Sequence, residues 1–299
     1  MTNMVTVFTP TYNRASTLPA LYDSLCKQTN LSFEWLIVDD GSVDETEGLI
    51  QRLIAKENPF PIRYYKQKNG GKHTAINKGV PLARGFLFFI VDSDDMLTPY
   101  AIDKLLQWEA TISGEEGFAG ISGNKGDLLG NLLGSTFLGD TIDATNLERQ
   151  EKNILGDKAE AYYTEVLKQF PFPVIDGETF MTENVVWDRI AAAGYKIRWF
   201  NEVIYLVEQR DDGLIAQGNN RYAKSPRGYA LFVLQSLQLT NANWRDKLYA
   251  GFYYYEAVKA GISLLHAAKL LHRNLFVFSS FCFYQSLKIF VKKILTKHR

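Results

Sequence analysis

Phe86-Leu87-Phe88-Phe89-Ile90-Val91-Asp92-Ser93-Asp94-Asp95 runs six bulky apolar residues straight into three carboxylates. An uninterrupted apolar run of this kind reads as a strand buried on both faces, which belongs inside a parallel or mixed sheet. The acids then stand at the carboxyl edge of that sheet, where α/β folds bind their ligands. Three like charges within four residues repel one another, and no Lys or Arg adjoins them in sequence. A hard divalent cation, Mg2+ or Mn2+, would relieve that repulsion, with Asp92, Asp94 and Asp95 as oxygen ligands and substrate phosphates completing the shell. The plainer alternative has the acids capping the next helix. Thr98-Pro99 already fills that place, as N-cap and first-turn pair of a helix over 101–112.

Working back from this stretch, residues 4–8 form a first expected strand, and Pro10-Thr11-Tyr12-Asn13-Arg14 the loop before a helix over 18–27. A dinucleotide-binding unit would place a glycine-rich turn here, and there is none. The loop offers Tyr12 for stacking on a base and Arg14 for an anion, while an ordinary strand-to-helix turn is the alternative. Residues 33–38 form the second strand and end in Asp39-Asp40-Gly41-Ser42. Asp-Gly marks a turn, and Ser42 with Glu45 reads as a capping box for a helix reaching residue 56. Asp39 and Asp40 are left over and suit a ribose hydroxyl or a base N–H. Residues 62–65 form a third strand before Lys68-Asn69-Gly70-Gly71-Lys72-His73-Thr74. A P-loop is excluded, because Lys66 and His73 stand where that motif needs Gly and Ser or Thr. Gly71 and Lys72 at the start of a helix over 74–83 still favour a phosphate, and Asn77 follows one turn later. His73 reads as a structural histidine or as a donor contact.

In this order and spacing, Pro-Thr-Tyr-Asn-Arg, Val-Asp-Asp-Gly-Ser, Asn-Gly-Gly-Lys-His-Thr-Ala-Ile-Asn and Asp-Ser-Asp-Asp resemble the motifs of family 2 glycosyltransferases of the GT-A fold. The likeness covers the first third of the chain. It implies inverting transfer from a nucleotide-diphosphate sugar, with a UDP-sugar as the expected donor and Mg2+ or Mn2+ as cofactor. By the same resemblance Pro10, Tyr12, Asp39 and Asp40 would hold the nucleoside, and Gly71, Lys72 and Asn77 would lie along the phosphates and sugar. Asp92 and Ser93 would border the donor, and Asp92 and Asp94 would form the acidic metal motif with Asp95 beside them.

Downstream, residues 118–146 are glycine-rich and apolar and read as strands on the acceptor side. Ala161, Tyr162, Val166 and Leu167 fall on helical spacing, so 156–170 reads as a helix ended by Pro171 and Pro173. Thr179-Phe180-Met181-Thr182-Glu183-Asn184 opens a helix through 193, with Thr182 as a plain N-cap. Inverting transfer also needs a general base for the acceptor hydroxyl. Members of the family often carry Glu-Asp here with an arginine six residues beyond. Glu183 stands six before Arg189, so the resemblance assigns Glu183 as the base, with Glu in place of Asp as the departure. Residues 196–200 and 203–208 read as two more strands. A polar loop follows, in which Arg210 or Arg221 reaches a diphosphate or is simply exposed.

Beyond Tyr222 the pattern is helical. Phe283, Leu287, Phe290 and Ile294 make one stripe, and Lys288, Lys292 and Thr296 another. Ser279, Ser280, Gln285, Ser286 and Lys288 interrupt this Phe-rich end, leaving it short of the roughly 20 apolar residues of a spanning helix. An amphipathic, basic, aromatic segment suits the headgroup layer of an anionic membrane; docking on protein is the alternative.

The 299 residues balance 33 Lys and Arg against 33 Asp and Glu, so nothing points to nucleic acid. The balance is uneven along the chain, since no acid follows Glu256. Cys26 and Cys282 form no metal spacing and no disulfide framework, and no apolar leader precedes the first strand. The expectation is an α/β, GT-A domain of mixed sheet over 1–215 and a helical extension over 216–299. The donor half would span about 1–97 and the acceptor half about 98–215. The expected acceptor is a glycan or lipid-linked oligosaccharide, and the expected setting is cytoplasmic, peripheral at the inner face of the cell membrane. Two rivals are a sugar nucleotidyltransferase, which lacks its glycine-rich basic loop here, and a non-catalytic scaffold, which has no need of the acids that are present.

Overall fold

The computed structural model describes residues 4–208, 220–239, 258, 261–280, 282–284 and 286–287. The chain divides into two compact units, one of residues 1–173 and 186–210, the other of 174–185 and 211–299. Residues 174–185, expected in the first domain, cluster with the helical unit.

In chain order the elements up to residue 208 are β1 Val5–Thr11, α1 Leu18–Cys26, β2 Phe33–Asp39, α2 Thr46–Ile54, β3 Ile62–Lys66, α3 Lys72–Leu82, β4 Leu87–Ile90, β5 Met96–Leu97, α4 Ala101–Ala110, β6 Phe118–Gly126, β7 Thr141–Ala144, β8 Lys158–Tyr163, α5 Thr164–Gln169, α6 Asn184–Ala192 and β9 Lys196–Leu206. Among the described residues the strands form one sheet in the order β3-β2-β1-β4-β8-β6-β9-β5, with β7 added on β9. β3, β2, β1 and β4 run parallel, whereas β8 runs antiparallel to both β4 and β6, so the sheet is mixed.

The parallel half follows from burial. Every residue of β1 and β2 is buried, and the faces of β4 are filled by Leu87, Phe88 and Phe89, all at 0% exposure. Phe8 stacks on Phe88 at 4.7 Å between ring centroids. Each such side chain contributes about 2 kcal/mol by leaving water. Two polar groups inside this half are satisfied. Glu34, with no exposure, accepts from Thr6 Oγ1 at 2.8 Å and pairs with Arg63 at 3.0 Å, and Trp35 Nε1 donates to Thr9 Oγ1 at 3.0 Å.

Several expectations are corrected. The helix read over 156–170 is present only in its second half, as α5; the first half is β8, the central strand between β4 and β6, where Ala159, Ala161 and Tyr162 are buried because sheet lies on both sides. The two strands read over 196–208 are one strand, β9, whose register against β6 is interrupted by bulges. Ser42 and Glu45 form no capping box: the Ser42 hydroxyl accepts from Asn13 N, and Thr46 N turns to Asp44 Oδ1. Thr98 does not cap α4 with its side chain, because its hydroxyl donates to Ile204 O. For Ser42 and Thr98 a tertiary partner took the hydroxyl that local sequence assigned.

The excursion between β6 and β8 is tied down by one buried cation. Lys158, only 3% exposed, donates to Asn124 Oδ1 at 2.8 Å and Ser135 O at 2.7 Å. Asn124 passes the connection on to Asn201, which holds Phe137 O and Gly139 O.

In the second unit the described helices are α7 Asn220–Lys224, α8 Pro226–Leu239 and α9 Leu264–Leu270, and the helix is resumed from 275. Tyr229, Ala230, Val233, Ile262, Leu271 and Phe278 are among its buried core. Glu178 receives Arg227 N and Gly228 N, supplying negative charge to orphan amides at the start of α8. Phe290, Ile294, Lys288, Lys292, Thr296 and Arg210, named from sequence, lie outside the described residues.

Candidate active site

Parallel pairing decides which loops meet. Thr11 stands opposite Asp39, Asp39 opposite Lys66, and Phe8 opposite Ile90, so the segments leaving β1, β2, β3 and β4 emerge on one edge. β6 reverses twice relative to β4 by way of β8, and β9 runs parallel to β6. The carboxyl ends of β6 and β9 therefore arrive at that same edge.

The loops are stitched together before any ligand is considered. Asn13 takes a left-handed backbone, φ 54°, and its Oδ1 accepts from Val43 N. Asp39 is fully buried and accepts from Ser42 N and from Tyr64 OH, each at 2.7 Å. Asp40 gathers the loop after β3, accepting from Gln67 Nε2 at 2.8 Å, Gly70 N at 3.0 Å and Gly71 N at 2.7 Å. Gly71, at φ 94°, makes the turn into α3 that a side chain would strain. Asp39 and Asp40, expected at the nucleoside, thus lie under the edge and shape it.

Lys72 opens α3 and reaches Asp92 Oδ1 with its Nζ at 2.6 Å. Arg14 pairs with Asp94 at 3.7 Å. The charge repulsion read from sequence is therefore countered by cations from two distant loops. Asp92 and Asp94 keep side-chain exposures of 31% and 22% and face the cleft with Lys72 and Arg14. Burial works to raise the Asp92 carboxyl, but Lys72, Lys125 and Arg14 together hold it below the usual range.

Asp95 differs from its neighbours. It is buried, with Oδ2 accepting from Tyr205 OH at 2.8 Å and Oδ1 from Glu208 N at 3.3 Å. Burial first, then the charge of Asp92, pushes its carboxyl up to about 7. Tyr205 also accepts from Asp92 N at 2.9 Å, so one phenol pins both ends of the 92–95 turn. Lys125 lies 4.1 Å from the centre of the Tyr205 ring, a cation–π contact beside the acids.

The structure thus gathers Arg14, Gly71, Lys72, Asp92, Asp94 and Asp95 on one edge, with Pro10 buried at the end of β1 and Tyr12, 46% exposed, just after it. Ser93 is buried within the turn. Asn77 stands apart, its amide bonded in both directions to the Phe172 backbone. Glu183 belongs to the second unit, half-buried just ahead of α6. Sequence reasoning missed Lys125, Tyr205, Tyr64 and Gln67. A polar ending to an apolar strand, Asn124-Lys125-Gly126, was the available signal for the first.

For a hard divalent cation the donor set fits in part. Asp92 and Asp94 present part-exposed carboxylate oxygens, the chemistry Mg2+ and Mn2+ prefer. Asp95 does not, since both its oxygens are engaged internally. Among the described residues no group of three or more His, Cys, Asp or Glu side chains is assembled around a single point. Phosphate oxygens of a ligand would have to complete any shell here.

Residues 6–109 match the family model described as Glycosyl transferase family 2, and every loop of the parallel half lies within that span. Over that span the chain is similar to family 2 glycosyltransferases. Over 103 residues the chain is 37% identical to a chondroitin synthase of Escherichia coli, a stretch that is 34% of this chain and 15% of the relative. The chain therefore spans only a small part of that relative. Among solved structures, S. aureus TarS 1-349 in complex with UDP-GlcNAc aligns with TM-score 0.65 at 17% identity, covering 93% of this chain and 88% of the other. The mannosyltransferase PcManGT from Pyrobaculum calidifontis, in complex with GDP-Man and Mn2+, aligns with TM-score 0.59 at 17% identity, covering 94% and 84%. At that identity the likeness concerns the fold, and the chain has the GT-A fold.

Proposed function

We propose that the glycosyltransferase moves a sugar from a nucleotide-diphosphate donor to a hydroxyl of a glycan or lipid-linked acceptor, with inversion. The observation that carries this reading is the paired cluster of Lys72 with Asp92 and Arg14 with Asp94 at the carboxyl edge of the parallel strands. A UDP-sugar is the preferred donor class, supported by the neighbour that binds UDP-GlcNAc.

In this reading Tyr12, exposed beyond β1, stacks on the base, and Arg14 and Lys72 hold diphosphate oxygens once they exchange their carboxylate partners for the donor. Gly71 keeps the backbone close to the phosphates at the start of α3. Mg2+ or Mn2+, bound by Asp92 and Asp94, would supply positive charge to the leaving diphosphate. Ser93 and Pro10 shape the floor, and Asp39 and Asp40 keep the loops in position. Glu183 is proposed as the base that takes the acceptor proton, on the strength of its spacing from Arg189. The proposed setting is the cytoplasmic face of a cell membrane, with peripheral attachment through the chain after residue 256.

The test is release of nucleoside diphosphate from a panel of nucleotide sugars, with and without Mn2+. Metal-dependent release from one or two donors, lost in Asp94→Ala and lowered by roughly a hundredfold in Glu183→Gln, is the expected result. Donor binding without turnover in the native protein would instead favour a non-catalytic binding protein.

A further inference from the structure

We infer that the helical run from residue 275 is an interfacial anchor whose outward face lies in the headgroup layer of an anionic bilayer. The run has two distinct faces. Phe278, 1% exposed, and Cys282, 6% exposed, lie one turn apart and point into the core of the second unit. The opposite face carries Phe276 at 81%, Phe283 at 72% and Leu287 at 51%. Their spacings of seven and four residues set them in one line along a helix, and Val277 and Tyr284 widen the line. A helix already anchored on one face gains nothing in water by presenting large aromatics on the other.

Charge selects the occupant. Between residue 257 and the last residue of the sequence there are eight Lys or Arg and no Asp or Glu. Lys269 and Arg273 are exposed just ahead of the run. A second copy of this segment would bring cations against cations. An anionic lipid surface meets the cations with phosphate and the aromatics with acyl chain. Among the described residues no helix is long and apolar enough to cross a membrane, so the contact is one of lying on the surface.

The inference deepens the proposed membrane setting and depends on it only for its biological use. Its test is flotation of the full chain with vesicles of phosphatidylcholine alone or of phosphatidylcholine with phosphatidylglycerol, beside a Phe276→Ser/Phe283→Ser variant. Both side chains are exposed, so the variant should retain its circular dichroism and unfolding midpoint. The expected result is binding to the phosphatidylglycerol vesicles that falls severalfold at high salt and by about tenfold or more in the variant. Equal flotation of both proteins, or none, overturns the inference. So does a concentration-dependent dimer in sedimentation velocity that the same substitutions dissociate, which would put a second copy on this face. Donor release, measured separately without vesicles, reports on the glycosyltransferase reading, so either can fail while the other stands.

Discussion

Tyr205 shows how much a single hydroxyl can hold at a reactive edge. It donates to Asp95 and accepts from Asp92 N across sequence separations of 110 and 113. Tyr205→Phe removes the hydroxyl from Asp95 Oδ2 and from the Asp92 amide, which should cost roughly 1–3 kcal/mol in urea unfolding. It should also weaken donor binding, since the turn carrying Asp92 and Asp94 loses its pin. Lys158 gives a pH-dependent test of the same kind. Burial first, then the positive charge of Arg149, lowers its ammonium to about 8. The folded protein thus releases this proton near pH 8, while the unfolded chain keeps it to the ordinary lysine range. The unfolded state binds the extra proton between those limits, so this residue makes stability rise with pH above about 8. The increment should be missing from Lys158→Met when unfolding midpoints of the two proteins are compared across that window.

At the scale of elements, the parallel half was readable because each strand is apolar on both faces and each following loop carries its own turn chemistry. Asp-Gly after β2 and Gly-Gly before α3 are examples. What escaped depends on partners remote in sequence. β8 has small and aromatic residues that suit either period, and only its place between β4 and β6 makes it a strand. Ser42 and Thr98 look like caps until Asn13 and Ile204 claim their hydroxyls. Among the site residues, Arg14, Lys72, Asp92 and Asp94 were legible as types suited to diphosphate and metal. Lys125 and Tyr205 were not, because nothing local shows that β6 and β9 end beside β4. The loop after β3 offers a prediction at this scale. Asp40 receives three donors from it, so Asp40→Ala should speed amide hydrogen exchange at Gly70 and Gly71 by roughly tenfold or more, ahead of global unfolding.

For the whole molecule, a formal charge of zero conceals a division along the chain. Up to Glu256 there are 25 basic residues against 33 acidic ones, and afterwards eight basic residues stand without an acid. Such a chain has weak net repulsion between copies and strong attraction between unlike parts. Light scattering at neutral pH and low ionic strength should therefore show self-association that disappears near physiological salt, where the screening length falls to about 8 Å. Lys292→Glu/Lys293→Glu should reduce it at low salt.

The ion pairs of Lys72 with Asp92 and Arg14 with Asp94 carry one more consequence. Each of these cations is paired with an acid. A diphosphate arriving alone would draw the two cations from their carboxylates, leaving Asp92 with Lys125 as its remaining nearby positive charge; a divalent ion arriving alone would draw the carboxylates from the cations. Under the proposed reading the two ligands enter as a matched exchange of partners, and each should tighten the binding of the other by the same factor. Titrations of donor with and without Mn2+, and of Mn2+ with and without donor, should close such a thermodynamic square.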